Sequence, residues 1–94
     1  MNTDDPHHLP IDGTLDLHTF QPADTKEVLM AYIEACLEER IYLLRIIHGK
    51  GKGVQRDIVK KILQNHPDVE SFKTDTGAGS WGATMANLKH PNTL

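Results

Sequence analysis

Two short stretches of this 94-residue chain put chemically capable side chains at spacings that favour joint action. In "TLDLHTF", Asp16 and His18 stand two apart in an alternating segment. In a strand they share one face, and Leu15 and Leu17 take the other. A carboxylate beside an imidazole can orient the ring for general acid or base work. The same pair can offer two ligands to a divalent cation such as magnesium or manganese, although two are too few for a dedicated site. An ordinary solvent-facing strand pair has the same spacing.

The second stretch is "RIIHGKGKGV", where an apolar run ends in His48 and Gly49, Gly51 and Gly53 then alternate with Lys50 and Lys52. Glycines let backbone N–H groups approach an anion closely, and lysines add charge. The stretch has neither the Gly-Lys-Ser/Thr of a Walker loop nor the G-x-G-x-x-G of a dinucleotide fingerprint. Phosphate contact and a plain strand-to-helix turn stand as equal readings of it alone. Further on, Trp81 sits in a Gly/Ser loop, where an indole can stack on a base or cover the end of a sheet.

The elements that must position these residues follow from periodicity. "TLDLHTF" alternates as a strand, and Pro22 suits the first position of a helix. Val28/Leu29, Tyr32/Ile33 and Cys36/Leu37 make one helical stripe, which places Cys36 in the core. "IYLLRIIH" has the continuous apolar character of a central strand. Val54, Ile58, Ile62 and Leu63 mark a second helix, ended by "NHPD". "VESFKT" and "TMANLK" read as two more strands around the Gly-rich "DTGAGSWGA".

The order is β-α-β-α-β-β, and strand–helix–strand crossovers make the first three strands parallel. The last strand then returns antiparallel. His18, His48 and the loop at 75–82 are thereby expected at one carboxyl edge of the sheet, where α/β proteins usually bind ligands. Residues 1–12 read as a flexible arm, 13–90 as a single domain and 91–94 as a tail.

Composition narrows the function classes. With 38% hydrophobic residues the chain can bury one modest core. No apolar run approaches the roughly 18–20 residues a membrane span needs, and the polar, acidic start is unlike a signal or transit peptide. A single cysteine excludes an internal disulfide and a multi-Cys zinc site, and fits a cytoplasmic location. The net charge of −3 is wrong for a uniformly basic nucleic-acid binder. Yet Arg45, Lys50, Lys52, Arg56, Lys60 and Lys61 cluster with only Asp57 opposing them, and local field governs a partner that docks on one patch.

Taken in order, "LDLH" at 15–18, "IHGKG" at 47–51 and "GSWGAT" at 79–84 closely resemble the small MutS-related (Smr) domain. Each motif is weak singly, and the ordered set over roughly residues 13–90 is specific. The resemblance implies an α/β, two-layer sandwich: a four-stranded mixed sheet with two helices on one face, similar to the C-terminal domain of translation initiation factor three. It also implies binding of DNA or RNA and, in a number of members, nicking of DNA or cleavage of RNA.

The family's L-D-x-H falls on Leu15–His18, its H-G-x-G on His48–Gly51 and its Gly-rich motif on Gly79–Gly82. Thr19 and Ser80 stand where the family usually has glycine. On this reading Asp16, His18 and His48 are the catalytic candidates. Gly49, Lys50, Gly51, Lys52, Gly53, Arg56, Ser80, Trp81 and Gly82 would contact phosphate or nucleic acid. No set of metal ligands is assigned. The expected form is a monomer without membrane contact, and any protein partner is unspecified. The alternatives are a non-catalytic nucleic-acid-binding module and a protein-interaction domain working through its acidic first helix.

Overall fold

The computed structural model describes residues 11–49, 53–75 and 82–90. The elements are β1 (Thr14–Asp16), α1 (Pro22–Glu38), β2 (Leu43–Ile47), α2 (Val54–Asn65), β3 (Val69–Asp75) and β4 (Ala83–Leu88). They form one four-stranded sheet in the order β1-β2-β4-β3. β1 runs parallel to β2, and β4 lies antiparallel to both β2 and β3. The first three strands therefore share a direction, as the crossovers require, and β4 is inserted between two of them.

α1 begins with Pro22, whose missing N–H would have no partner there anyway. It buries Thr25, Val28, Leu29, Tyr32, Ile33 and Cys36. Its end is turned by Arg40 at φ 62°, with the Ile41 N–H donating to the Cys36 carbonyl at 2.8 Å. In α2 the fully buried residues are Val59 and Leu63, one turn apart. Val54, which helps mark this helix in the sequence, stands 53% exposed at its first turn.

Both helices join one core cluster with Leu15, Leu44, Ile46, Ala86 and Leu88 from alternate sheet positions. They cover a single face of the sheet. Tyr32 ties the start of β1 to this layer, because its hydroxyl accepts from the Gly13 N–H at 3.0 Å and lies 3.1 Å from the Thr14 carbonyl oxygen. No helix among the described residues is long and apolar enough to cross a membrane.

Candidate nucleic-acid site

One row of paired residues crosses the sheet at its carboxyl edge: Asp16, Ile47, Ala83 and Asp75. The three sequence motifs hang from this row. β1 stops at Asp16 even though the alternation of "TLDLHTF" continues, because the chain turns. The Asp16 carboxylate accepts from the His18 backbone N–H at 3.0 Å, and the Phe20 N–H donates to the Leu17 carbonyl at 2.9 Å. Turns closed by an Asp side chain compete in this way with strand pairing.

The same Asp16 oxygen lies 2.5 Å from His18 Nδ1, and the two side chains are 48% and 57% exposed respectively. Since Nδ1 faces the carboxylate, Nε2 points away from it, with no partner among the described residues. A neutral ring held through Nδ1–H presents a basic Nε2 to solvent.

His48 differs from His18. It is 7% exposed, with Nε2 3.0 Å from Thr84 Oγ1 and Nδ1 3.2 Å from the Gly49 carbonyl oxygen. Its backbone N–H and that of Gly49 both donate to the Gly82 carbonyl, at 2.8 and 3.0 Å. Gly49 has φ +89°, a left-handed conformation that disfavours any side chain. A Cβ placed there would lie 3.6 Å from His18 Cβ, so the backbone of the second motif packs beside the first. First, second and third motifs thus meet through His18, Gly49 and Gly82.

α2 opens from this point. Gly53 caps it in a left-handed conformation without a side-chain cap, so the first N–H groups of the helix lack the usual capping oxygen. The Arg56 guanidinium folds back so closely that a Cβ on Gly53 would lie 2.7 Å from it. Arg56 approaches Asp57 only at 3.9 Å with both side chains exposed, a contact of little energetic weight. Its charge remains available beside a helix N-terminus, which itself favours anions.

Lys50, Gly51, Lys52, Ser80 and Trp81 lie outside the described residues. Cys36 is fully buried, and burial pushes its thiol up to about 11, consistent with a core residue. Two contributors were missed in the sequence. Thr84 is a buried polar residue on the inner face of β4, linking His48 to Thr74 Oγ1 at 3.4 Å. Its place in "GSWGAT" was the available signal. Gln55 donates from Nε2 to the Phe20 carbonyl at 2.5 Å and clamps the start of α2 to the turn after β1. Nothing local in the sequence marks it.

The Smr domain family model matches residues 15–89, a span that includes all three motifs. The chain belongs to the Smr domain family.

This Smr domain is 34% identical over 80 residues to Endonuclease MutS2 of Caldicellulosiruptor bescii, covering 84% of the chain and 10% of that protein. It is 36% identical over 77 residues to Ribosome rescue factor SmrB of Yersinia enterocolitica, covering 82% of the chain and 43% of that protein. The chain thus spans about a tenth of the one relative and less than half of the other. The crystal structure of the Smr domain of Thermus thermophilus MutS2 superposes with a TM-score of 0.75 at 28% identity, over 83% of this chain and 99% of that one. YdaL, a stand-alone small MutS-related protein from Escherichia coli, agrees in fold with a TM-score of 0.75 at 24% identity, over 85% of this chain and 66% of that one.

At the site of this Smr domain, Asp16 and His48 are both shifted. Partial burial pushes the Asp16 carboxyl up, and the hydrogen bonds and charge from His18 more than offset it, leaving it below its ordinary value of 3.8. Burial, with the Arg56 charge beside it, holds His48 below its ordinary 6.5 against a raising contact from the Gly49 carbonyl. A histidine that protonates less readily when folded contributes stability above its unfolded pKa, and this is lost as pH falls. The melting temperature is therefore expected to fall as pH drops from 7.5 through 6.5 toward 5. A His48→Gln variant measured by thermal unfolding over the same range should show a shallower fall. An equal slope in both proteins would contradict this assignment. Asp16 acts in the same direction in a lower window, its contribution being present above 3.8 and lost below.

Gly49 gives a second expectation. Because the space beside His18 Cβ accommodates a methyl at 3.6 Å, the cost of Gly49→Ala lies in the backbone. That cost is about 1–2 kcal/mol for an L-residue in the left-handed region. Urea unfolding should register it as a lowered midpoint, and an unchanged midpoint would exclude the left-handed conformation.

Proposed function

We propose that this Smr domain binds nucleic acid at the carboxyl edge of its sheet and breaks a phosphodiester bond there. The observation that carries the reading is the meeting of His18, Gly49 and Gly82. It sets an exposed, carboxylate-oriented imidazole beside a glycine backbone, and the Gln55 contact to the Phe20 carbonyl holds the start of α2 against the same turn.

His18 Nε2 takes the proton of the attacking hydroxyl, from water or from a ribose. The new O–P bond forms as the P–O bond to the leaving oxygen breaks, and that oxygen takes a proton from solvent. Asp16 keeps Nδ1–H in place and stabilises the imidazolium formed, the role a carboxylate plays behind a catalytic histidine. The open first turn of α2, with Arg56 and the Lys50/Lys52 loop next to it in sequence, offsets charge developing on the phosphate. His48, buried with both ring nitrogens engaged, serves here as a positioning residue for the Gly49 backbone, in place of the proton transfer expected from the sequence.

Asp16 and His18 alone are too small a donor set for a dedicated divalent-cation site. Among the described residues no group of three or more His, Cys, Asp or Glu side chains can hold a metal ion.

The relatives' names point to two substrate classes, since one is called an endonuclease and another a ribosome rescue factor. The test is incubation of the protein with supercoiled plasmid and with structured RNA, each with and without chelator. Nicked circles or discrete RNA fragments are the expected result. Salt-sensitive binding without cleavage of either substrate would leave a non-catalytic binding module instead.

A further inference from the structure

Both helices cover one face of the sheet, and no described element packs over the other. That open face is ordered in rows by the strand register. Next to the edge row lie Thr14, Arg45, Met85 and Lys73, and beyond them Leu43, Asn87 and Ser71. Their side chains point away from the core, because Leu44, Ile46, Ala86 and Phe72 alternate with them and belong to it.

Two features of this face point to a ligand. The first is charge. Among the described residues the only ion pairs are His18–Asp16 and Arg56–Asp57, so Arg45 and Lys73 carry unpaired positive charge across the middle row. The nearby Asp16 carboxylate is already committed to His18. The second is apolar surface between and beside those cations. Leu43 is 55% exposed, and Ile47 and Met85 are partly exposed.

The face is also continuous with the candidate site. Arg45 sits one strand across and two residues back from the Asp16 row. Sheet spacings make that a Cα separation of about 8 Å, and put Arg45 and Lys73 about 10 Å apart.

We infer that the open face is the track along which a single strand of nucleic acid runs to or from the Asp16–His18 edge. The inference rests on the function proposed above and specifies its substrate. A flat face four strands wide offers nothing to enter a groove, and a duplex turns its bases inward, leaving Leu43, Ile47 and Met85 without a partner. A single strand presents phosphates to Arg45 and Lys73 and base faces to the aliphatic surface between them. Open four-stranded sheets bind single-stranded RNA on this principle, with aromatic side chains as the stacking surface. Here the platform is aliphatic, so little base preference is expected.

The experiment is fluorescence anisotropy with a fluorescein-labelled 15-nucleotide single strand and its blunt duplex, over a salt series. The proteins are wild type, Arg45→Gln/Lys73→Gln and, on the helix layer, Lys26→Gln, an exposed α1 position outside the basic cluster. The single strand should bind wild type more tightly than the duplex. The double variant should lose about tenfold in affinity and flatten the log–log salt slope by about 1.4, two phosphate contacts at about 0.7 each. Lys26→Gln should retain the wild-type slope.

As a readout independent of any variant, the amide resonances of Leu43 and Met85 should shift when the single strand is added. Wild-type binding that the double variant fully retains would overturn the track and leave the edge site standing. No binding by wild type would overturn both readings. A wild-type dimer in sedimentation, dissociated by Leu43→Asp, would assign the face to a second copy of the chain and overturn the track.

Discussion

Replacing His18 with Ala is expected to lower cleavage by about 10²–10⁴-fold while leaving oligonucleotide affinity within about twofold. The side chain is exposed and makes no core contact, so its removal costs the fold little. What it takes away is the one imidazole nitrogen at the edge that has no partner among the described residues. Gly49, the α2 N-terminus and Arg56 stay in place, and on the proposed reading it is these that would contact the anion. Single-turnover cleavage and equilibrium binding on one labelled substrate separate the two effects. A parallel loss of affinity and rate would make His18 a binding residue and move the chemistry elsewhere.

Ile46→Ala carries the second large effect, this time on stability. Ile46 is fully buried in β2, where it pairs with Leu15 on one side and Thr84 on the other. Truncating a buried isoleucine costs about 2–5 kcal/mol, since lost transfer energy and the remaining cavity add. A 94-residue domain has only about 5–14 kcal/mol in total. The melting temperature should fall by at least about 8 °C in calorimetry, given about 4–8 °C per kcal/mol for domains near this size. The same strands carry Asp16 and Thr84 and lead into His48, so cleavage should fail at a correspondingly lower temperature. A loss below about 1 kcal/mol would mean that the core closes around the gap.

Much of this was legible in the chain. Strand direction followed from the two crossovers, and with it the meeting of His18, His48 and Gly82 at one edge. The stripe from Val28 to Cys36 packs as its spacing requires. The insertion of β4 between β2 and β3 was not legible, because pairing partners distant in sequence leave no mark in periodicity. Nor was the early end of β1. Alternation runs on to Phe20, but the Asp16 carboxylate finds a better partner in the His18 N–H and turns the chain.

His48 looks like His18 in the sequence, since both follow an apolar strand residue. Burial separates them, and burial depends on the Thr84 hydroxyl arriving from β4. Gln55 is legible only once the turn after β1 is seen against the start of α2.

The most direct measurement is cleavage and binding by the Asp16→Asn variant beside wild type, on one single-stranded substrate. The amide keeps the size of the side chain, while the negative charge that stabilises the protonated His18 ring is lost and the new NH2 donor favours the wrong ring tautomer. The expected result is unchanged affinity with cleavage reduced by about 100-fold or more. An Asp16→Asn protein that cuts at the wild-type rate would contradict a catalytic role for this pair.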